Sequence, residues 1–349
     1  MKRELIVLGG MAGSSMDGLD LALLKLFVEN TKWHFQIMKC ETIEYPTDLY
    51  ARLKTAPSQS TEDQKNLDDI FGSWIAQKIK TFLQHTKTPE LFAIHGHTVM
   101  HAPDKKISWQ LGNGQLIADL TKILTISDFR SLDIELGGQG APLVPFGDFN
   151  LFDKYDACLN LGGIANISIQ SSRLAGDICP CNQVLNHYAR QLGLPFDASG
   201  NQSKEGSIDH VFLKKIEEIP FFAKPFPKSL ANDSIPQSLL DKVKPKVGLR
   251  SYTEFIANQV AFSLQNVKAN DAKLLITGGG AFNSFLVSRI KASLPDWKIV
   301  TPDADLISFK EAIIFAFLGL MRIQNEINVL STVTGASRDS SSGVIHLPK

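Results

Sequence analysis

Three glycine-rich turns follow apolar stretches of the sequence and have the composition of an anion-binding site. They lie at residues 9–18, at Gly162-Gly163 and at Gly278-Gly279-Gly280. Glycine lets a backbone approach a ligand closely and turn several N–H groups toward one point, which is how proteins hold phosphates. None of the three is a Walker loop, and no dinucleotide fingerprint follows the first apolar stretch. Turns from different parts of the fold would therefore have to hold a nucleotide together; the alternative is that they are ordinary turns at strand ends.

The first turn carries hydroxyls and carboxylates beside its glycines. Ser14 and Ser15 could donate to a phosphate, while Asp17 or Asp20 could order a magnesium ion through water. Asp17 could equally cap the turn by accepting from nearby backbone N–H groups. The sequence leaves both roles of Asp17 open.

Asp177 stands between Gly176 and Pro180, near which a helix is predicted to begin. A carboxylate at a strand exit beside a helix N-terminus suits a general base or a metal partner. Helix capping is the alternative, and it is the commoner role of such a residue. Asn182 could face the same cleft.

The histidines and two of the cysteines have spacings that a metal could use. His95, His97 and His101 lie close in sequence, but no carboxylate or cysteine nearby completes a ligand set. Substrate hydrogen bonding or a structural role is therefore favoured for the histidines. Cys179 and Cys181 are too few for zinc, and small packing residues are expected there.

Arg130 follows Asp128 and Phe129 at the predicted end of a strand. Its guanidinium is a candidate fork for a carboxylate or a phosphate. The alternative is a salt bridge at a domain interface.

Short strands and amphipathic helices must position these residues. In the first part of the chain, the pattern predicts strands at 4–8, 19–28, 34–45, 91–94 and 123–126, and helices at 61–83 and 114–121. In the second part, it predicts strands at 157–161, 164–170 and 273–276, and helices at 179–193, 253–267, 284–293 and 308–327. Polar or proline-rich loops are predicted at 199–207, 221–245 and 337–343.

Strands that alternate with helices indicate an α/β protein. Two meanders, each with a strand entering a glycine-rich turn and another leaving it, suggest a duplicated architecture. Residues 137–142 (Gly-Gly-Gln-Gly-Ala-Pro) form the sharpest break in composition, and the main domain boundary is placed near Arg130.

The composition excludes several classes of partner. The 349 residues contain 36 Lys plus Arg and 36 Asp plus Glu, so the formal net charge is zero. A dedicated nucleic-acid or anionic-membrane surface would need a cationic excess, and no stretch approaches the roughly 20 apolar residues of a membrane span. Four cysteines in a chain of this length are no disulfide framework. A soluble cytoplasmic protein is expected, with no nucleic-acid or membrane partner.

With these pieces in order, the chain resembles the anhydro-N-acetylmuramic acid kinases, sugar kinases of the actin/hexokinase/Hsp70 ATPase superfold. The resemblance runs essentially end to end. It is carried by residues 13–20 (Gly-Ser-Ser-Met-Asp-Gly-Leu-Asp), 95–99 (His-Gly-His-Thr-Val), 128–130 with 137–145, 160–166 (Asn-Leu-Gly-Gly-Ile-Ala-Asn), 278–283, 311–316 and 334–336. It implies a two-domain actin-like ATPase fold, a duplicated ribonuclease-H-like arrangement with an interdomain cleft. Domain I would comprise residues 1–130 plus 327–349, and domain II residues 131–326.

The resemblance also implies a reaction and a site. Asp177 would take a proton from the water that opens the 1,6-anhydro bridge, and the freed 6-oxygen would attack the γ-phosphate of ATP. The product would be N-acetylmuramic acid 6-phosphate, formed in the recycling of cell-wall sugar. ATP and its phosphates would lie on Gly13, Ser14, Ser15, Met16, Asp17, Gly18, Leu19, Asp20, Gly162, Gly163, Gly278, Gly279, Gly280 and Asn283. The amino sugar would lie on His95, His97, Thr98, Arg130 and Asn182. No residue would bind a metal directly, Mg²⁺ would arrive with ATP near Asp17, and a homodimer is plausible from the family precedent.

This chain departs from the family pattern beside the expected base. The family has Asp-Thr-Gly-Pro-Gly-Asn where residues 177–182 read Asp-Ile-Cys-Pro-Cys-Asn, so two glycines that would approach a phosphate are cysteines. Either ATP sits differently or the turn is reshaped. Two alternatives therefore stay open: a sugar kinase of other specificity, and an ATP-binding module of the same superfold with weakened turnover.

Overall fold

The structure, a computed structural model, describes residues 4–13, 16–230, 235–268 and 270–349. Its strands are β1 (Glu4–Met11), β2 (Leu19–Glu29), β3 (Lys32–Ile43), β4 (Leu91–His95), β5 (His97–Ala102), β6 (Ile107–Leu111), β7 (Thr125–Ser127), β8 (Ala157–Leu161), β9 (Ile164–Ile169), β10 (Leu174–Pro180), β11 (Ala272–Thr277), β12 (Trp297–Val300) and β13 (Val344–His346). Its helices are α1 (Thr47–Thr55), α2 (Thr61–Phe82), α3 (Gly114–Thr121), α4 (Ser131–Glu135), α5 (Val144–Leu151), α6 (Asn182–Gln191), α7 (Asn201–Glu205), α8 (His210–Glu217), α9 (Gln237–Leu240), α10 (Pro245–Leu264), α11 (Ser284–Ser293), α12 (Ala304–Ile323) and α13 (Ser331–Thr334). Short 3-10 helices lie at Ala56–Ser58, Pro103–Lys105, Ala198–Gly200, Pro220–Ala223 and Gly279–Phe282.

The chain forms two compact units. Unit 1 comprises Met1–Leu151 and Phe309–Lys349, and unit 2 comprises Phe152–Ser308. The sequence placed the boundaries at 130/131 and 326/327 instead. The intervening segments make their contacts within unit 1; in the second of them, the ring centre of Phe315 lies 5.0 Å from that of His95. Asp133, for example, accepts from the Thr334 hydroxyl at 2.6 Å.

The sheet of unit 1 has the strand order β13-β7-β4-β1-β2-β3. Strands β1, β2 and β3 are antiparallel neighbours, whereas β4 pairs with β1 and β7 pairs with β4 in parallel. Helix α2 covers this sheet with Leu67, Phe71, Ile75 and Ile79, which are fully buried. Their spacing of four residues puts them on one helix face, and this confirms the predicted helix.

The sheet of unit 2 has the strand order β10-β9-β8-β11-β12. Again three strands form an antiparallel meander, and two further strands add in parallel, with β11 beside β8 and β12 beside β11. Helix α10 buries Tyr252, Phe255, Ile256 and Val260 in the core of this unit. Each unit thus has a meander followed by parallel strands on one side of it. This repetition confirms the α/β fold and the duplication expected from the sequence.

Two predicted element boundaries differ from the structure at places that matter for the site. Strand β1 runs through Gly9 and Gly10 to Met11, so those glycines lie in a strand and not in the following turn. A side chain at Gly9 would collide with the carbonyl oxygen of Ala312 on α12, so this glycine allows the helix to pack against β1.

Strand β10 extends through Pro180 and helix α6 begins at Asn182, whereas the sequence predicted a helix from residue 179. The predicted helix start was wrong because a proline fits the last position of a strand as well as the first turn of a helix.

No helix in the described ranges is both long enough and apolar enough to cross a membrane.

Candidate active site

The parallel strands of unit 1 bring three sequence motifs to one edge of its sheet. Met11 at the end of β1 pairs with His95 at the end of β4, and the N–H of Ala12 donates to the His95 carbonyl oxygen at 2.9 Å. Strand β7, the next parallel strand, leads directly into Asp128 and Arg130. Ligand sites in α/β sheets form where the carboxyl ends of parallel strands meet. The first glycine-rich turn, the histidine motif and Arg130 therefore belong to one edge.

The first turn is tied to the rest of unit 1 at its far end. Ser14 and Ser15 lie outside the described residues. Gly18 has a φ of 153°, and its carbonyl oxygen accepts a hydrogen bond of 2.8 Å from the Tyr45 hydroxyl. Asp17 is exposed, so its carboxylate is open to a ligand.

The two hydrophobic side chains of the first turn, those of Met16 and Leu19, pack inward. Met16 packs against the core of unit 1, and Leu19 is fully buried at the start of β2. Either residue can therefore contribute backbone groups to a ligand, while its side chain serves the core.

Asp20 is a half-buried carboxyl at the base of this turn. Its Oδ1 accepts from the Thr42 hydroxyl at 2.6 Å across the β2–β3 pair. Burial raises the pKa of Asp20 to about 6, and the negative charge of Asp17 adds to the effect. Burial likewise raises the pKa of Glu311 on α12, and Asp20 contributes to that shift. The edge thus carries carboxylates that are costly to ionise without a nearby cation.

Arg130 makes its hydrogen bonds within unit 1. Its Nε donates to His95 Nε2 at 2.9 Å, and its Nη1 donates to the Gly140 carbonyl oxygen at 2.6 Å. Burial lowers the pKa of Arg130 to about 10, so the guanidinium is charged at neutral pH. Among the described residues no ion pair within 4 Å involves Arg130, although the negative charges of Glu311 and Asp128 partly oppose the lowering of its pKa.

His97 and Thr98 begin strand β5, one residue beyond the end of β4. His97 is buried, burial lowers its pKa, and its Nδ1 has no hydrogen-bond partner among the described residues. Thr98 is half-buried. Within the part of the chain that the structure describes, no group of three or more His, Cys, Asp or Glu side chains could hold a metal ion.

The break in composition at residues 137–142 is a loop held by a buried carboxylate. The Oδ2 of Asp133 accepts from the Gly140 N–H at 2.7 Å, and its Oδ1 accepts from the Thr334 hydroxyl. The N–H of Gln139 donates to the Thr334 carbonyl oxygen at 2.9 Å. Asp133 thereby fixes the carbonyl group of Gly140 that orients Arg130. Asp133 was not predicted from the sequence, where its position between two family motifs is its only signal.

In unit 2, Asp177 lies on the edge strand β10 and is oriented by the segment beside it. Its Oδ2 accepts from the Leu230 N–H at 2.8 Å and from the Ser229 hydroxyl at 3.4 Å. Its own N–H donates to the Lys228 carbonyl oxygen at 2.9 Å. The carboxylate therefore does not cap α6, which was the alternative role. Burial raises the pKa of Asp177 above its ordinary value, against the opposing effect of these donors and of the Lys228 charge.

The segment 228–230 holds the side chain of Asp177 and is itself packed in unit 2. Lys228 is buried, with its ammonium 4.9 Å from the ring centre of Phe221 and 5.4 Å from that of Phe226. Gly176 permits the approach of this segment, because a Cβ there would lie 2.6 Å from the Lys228 carbonyl oxygen. Only the structure connects this distant stretch to Asp177.

The two glycine-rich turns of unit 2 meet at the carboxyl ends of neighbouring parallel strands. Thr277 at the end of β11 pairs with Asn160 near the end of β8. Gly278 has φ 79° and ψ 165°, a conformation essentially confined to glycine, and a Cβ there would overlap Asn160. By contrast, a Cβ at Gly279 would meet only the Asn182 amide nitrogen, at 3.7 Å. Gly279 thus has open space where a ligand could approach.

The turn Gly162-Gly163 packs against the start of helix α6 and accepts hydrogen bonds from it. The Gly163 carbonyl oxygen accepts from the N–H groups of Cys181 and Gln183, and the Gly162 carbonyl oxygen accepts from that of Asn182. These carbonyl groups occupy N–H groups of the first turn of α6, so the helix N-terminus itself is not left free for an anion. Asn182 donates from its amide nitrogen to the Leu161 carbonyl oxygen at 3.0 Å. It therefore ties the turns of unit 2 together.

Asn283 serves as the N-cap of α11. Its Oδ1 accepts from the Leu286 N–H at 3.0 Å, and the side chain is buried. The cap places the preceding turn at the start of a helix, so the contribution of Asn283 to a nucleotide site would be indirect.

The two cysteines that replace glycines in the family pattern point into the core of unit 2. Cys179 and Cys181 are fully buried, and burial raises the pKa of both thiols. The Tyr252 hydroxyl donates to the Pro180 carbonyl oxygen at 2.8 Å and holds this stretch from the core side. The substitutions therefore leave the solvent side of the stretch unobstructed.

Comparison with known proteins gives a consistent match. The family model "Anhydro-N-acetylmuramic acid kinase" matches residues 5–348. A relative of that name from Sulfurimonas denitrificans is 31% identical, with 97% of this chain and 98% of the relative covered. Relatives of the same name from Actinobacillus pleuropneumoniae serotype 7 and Saccharophagus degradans are each 33% identical. The first match covers 98% of both chains, and the second covers 100% of both.

Solved structures show a looser likeness. An activator of 2-hydroxyisocaproyl-CoA dehydratase from Clostridium difficile with bound ADPNP has a TM-score of 0.45 and 14% identity, with 92% of this chain and 97% of that one covered. A ROK hexokinase from Thermus thermophilus has a TM-score of 0.39 and 9% identity, with 90% of this chain and 99% of that one covered.

Proposed function

This chain belongs to the anhydro-N-acetylmuramic acid kinase family and is a sugar kinase, and we propose that it acts on 1,6-anhydro-N-acetylmuramic acid. Water opens the 1,6-anhydro bridge and ATP phosphorylates the freed 6-oxygen, which gives N-acetylmuramic acid 6-phosphate and ADP. The observation that carries this proposal is the oriented, half-buried carboxyl of Asp177. Because this carboxyl can itself take the proton from water, the proposal does not call on a metal ion or a histidine as the base.

The environment of Asp177 suits a general base. One oxygen, Oδ2, is held by the Leu230 N–H and the Ser229 hydroxyl, which leaves Oδ1 to accept a proton. Burial raises the pKa of the carboxyl, and a base of higher pKa has a greater driving force for taking a proton from water. The hydrogen bonds from Leu230 and Ser229 and the charge of Lys228 favour the ionised form of the carboxyl and oppose this rise in pKa.

The reaction then proceeds in two bond exchanges. Asp177 Oδ1 takes a proton from water as the water oxygen bonds to the anomeric carbon and the bond from that carbon to the 6-oxygen breaks. The 6-oxygen, now carrying the electron pair, bonds to the γ-phosphorus as the bond to the ADP oxygen breaks. The proton on Asp177 leaves to solvent before the next turnover.

The turns of unit 2 have the form needed for ATP. Gly278 takes up a backbone conformation that other residues avoid, and Gly279 leaves room for a close approach. We assign the phosphate contacts to these glycines, to Gly162-Gly163 and to the turn 13–20. Mg²⁺, which would lie near Asp17, would supply charge compensation for the triphosphate. Asp17 fits that role because it is an exposed carboxylate at the turn.

On the sugar side, Arg130 offers a fixed cation. We propose that it pairs with the lactyl carboxylate of the muramic acid, while His97 and Thr98 hydrogen-bond the sugar. A guanidinium held by neutral acceptors keeps its attraction for an anion, and a carboxylate matches its fork geometry.

Purified protein tests the proposal through ADP release with 1,6-anhydro-N-acetylmuramic acid, with N-acetylglucosamine and without sugar. We expect ADP release with the anhydro sugar alone, together with a product that has gained one water and one phosphoryl group by mass spectrometry. ADP release with N-acetylglucosamine instead would favour a sugar kinase of other specificity. ATP binding without release on either sugar would favour the weakened module.

The cellular setting is part of the same proposal. Recycling of cell-wall sugar in the cytoplasm by a homodimer is what the family resemblance implies. Fractionation of cells and light scattering of the purified protein measure location and subunit number directly.

A further inference from the structure

Arg130 is oriented by two acceptors that carry no charge. Its Nε donates to an imidazole nitrogen of His95, and its Nη1 donates to the backbone carbonyl group of Gly140. A carboxylate in either place would fix the guanidinium equally well but would neutralise it. These two hydrogen bonds therefore fix the plane of the guanidinium without neutralising it. The negative charges of Glu311 and Asp128 also act on Arg130, but among the described residues neither forms an ion pair with it within 4 Å.

His95 is built into unit 1 in a way that keeps it neutral. Its side chain is 5% exposed and its ring centre lies 5.0 Å from that of Phe315. Because its Nε2 accepts from Arg130, its hydrogen must reside on Nδ1, an atom without a hydrogen-bond partner among the described residues. Burial lowers the pKa of His95 well below its ordinary value, and the Arg130 charge adds to this. Protonation would remove the lone pair that Arg130 uses.

These contacts also limit how Arg130 can bind an anion. A guanidinium can present a carboxylate with either its Nε–Nη2 side or its Nη1–Nη2 end. His95 occupies the hydrogen on Nε, and Gly140 occupies one of the two on Nη1. For this cation the available face is the end formed by Nη1 and Nη2.

We propose that His95 is a positioning residue that presents the Nη1–Nη2 end of Arg130 to the carboxylate of the sugar, and that His95 does not itself bind the sugar. The inference rests on the proposed function, because it assumes that Arg130 pairs with that carboxylate. It assigns His95 a role different from the direct substrate contact that the family resemblance implied.

Two amide substitutions separate this role from packing. In His95→Gln the amide oxygen can reach the position of Nε2 and accept from Arg130 Nε, whereas in His95→Asn the shorter side chain reaches only the position of Nδ1. Both variants place a neutral amide in the same buried site. Kinetics are measured with 1,6-anhydro-N-acetylmuramic acid and with 1,6-anhydro-N-acetylglucosamine, which lacks the carboxylate. Arg130→Ala serves as the reference, and assays run below each variant's thermal transition.

We expect His95→Asn to raise KM for the carboxylate sugar roughly tenfold or more, the effect of losing a hydrogen bond to a charged group, with kcat little changed. KM for the sugar without carboxylate should stay within about twofold, and His95→Gln should resemble the wild type. In the double variant with Arg130→Ala, His95→Asn should add no further loss of discrimination between the sugars.

Equal losses on both sugars in His95→Asn would overturn the inference, as would equal KM values for His95→Gln and His95→Asn. A wild-type enzyme with no preference for the carboxylate, or an Arg130→Ala variant that keeps the preference, would overturn the carboxylate contact of the proposed function and this inference with it. The reference variant therefore tells the two failures apart.

Discussion

Replacing Asp177 by asparagine removes the proposed base and keeps the contacts that hold its side chain. In the wild type, Oδ2 accepts from Leu230 N–H at 2.8 Å and from the Ser229 hydroxyl at 3.4 Å. The amide oxygen of asparagine can accept both hydrogen bonds in the same orientation. The free oxygen then becomes an NH₂ group, which donates hydrogen bonds and cannot take a proton from water.

The expected loss follows from that exchange of acceptor for donor. General-base catalysis contributes roughly 10²–10⁴-fold, so kcat should fall by that factor. This corresponds to about 3–5 kcal/mol of barrier at 1.36 kcal/mol per tenfold. The affinity for ATP should not change, because the substitution leaves the glycine turns untouched.

The raised pKa of Asp177 also predicts the effect of this substitution on stability. The pKa of Asp177 is raised on folding, so its ionised form disfavours the folded state at any pH above the unfolded value. The asparagine variant loses this cost and should unfold at the same or a higher temperature than the wild type at pH 7. The difference should vanish as the pH falls below the pKa of an unfolded aspartate, about 4.

The assay is ADP release with saturating anhydro sugar, with ATP affinity measured by calorimetry and unfolding by circular dichroism. Asp296→Asn, the same change at an exposed position of unit 2, is the matched control and should retain wild-type turnover. A turnover of Asp177→Asn within tenfold of the wild type would refute the assignment of the base. A loss of ATP affinity in the same variant would show that its role lies in nucleotide binding.

Four other outcomes test separate parts of the protein. Ser229→Ala removes a donor that lowers the pKa of the base, so the acid limb of the kcat/KM profile should move to higher pH; an unmoved limb in a pH titration would contradict this. Gly278→Ala should cost about 1–3 kcal/mol of stability, because its φ of 79° disfavours a side chain. Gly279→Ala should keep its denaturation midpoint and weaken ATP binding in calorimetry; unchanged affinity would remove this glycine from the ATP site. A thiol reagent should label the half-exposed Cys40 in the native protein and the three buried cysteines only after unfolding, and fast labelling of more than one thiol would contradict the burial.

The sequence predicted the elements with strong periodicity and missed boundaries where local signals conflict. Helix α2 was predictable because Leu67, Phe71, Ile75 and Ile79 repeat on one face. The end of β10 was not, since Pro180 fits a strand end as well as a helix start. Gly9 was predicted to belong to a turn. It lies in a strand instead and must lack a side chain because the Ala312 carbonyl oxygen of α12 packs against it, a contact that the sequence cannot show.

The residue types of the site were predictable, but their contacts were not. Arg130 follows a predicted strand and Asp177 stands just before a predicted helix, and the family resemblance implied a role for each. Their partners, Leu230 and His95, are remote in sequence from the residues that they hold. Such pairings depend on tertiary structure, which no local pattern encodes.

The direction of the cysteine side chains is the other feature that the sequence could not supply. Glycine-to-cysteine changes in a turn that approaches a phosphate would obstruct it if the side chains faced the ligand. Cys179 and Cys181 are fully buried instead, in the cluster that contains Tyr252. The space that their side chains fill lies on the core side, so the family pattern and this variation are compatible with the same reaction.

The duplicated fold explains how unlike chemistries arise from one topology. Both sheets are a meander flanked by parallel strands, so each presents carboxyl strand ends at one edge. In unit 1 that edge carries a cation whose hydrogen-bond acceptors are neutral, and in unit 2 it carries glycine turns and a carboxylate of raised pKa. A cation suits an anionic sugar, whereas glycine backbone and a base suit phosphate and water. Because the strands are alike, the difference resides in a few loop residues, and substitutions there should change specificity with little cost to the fold.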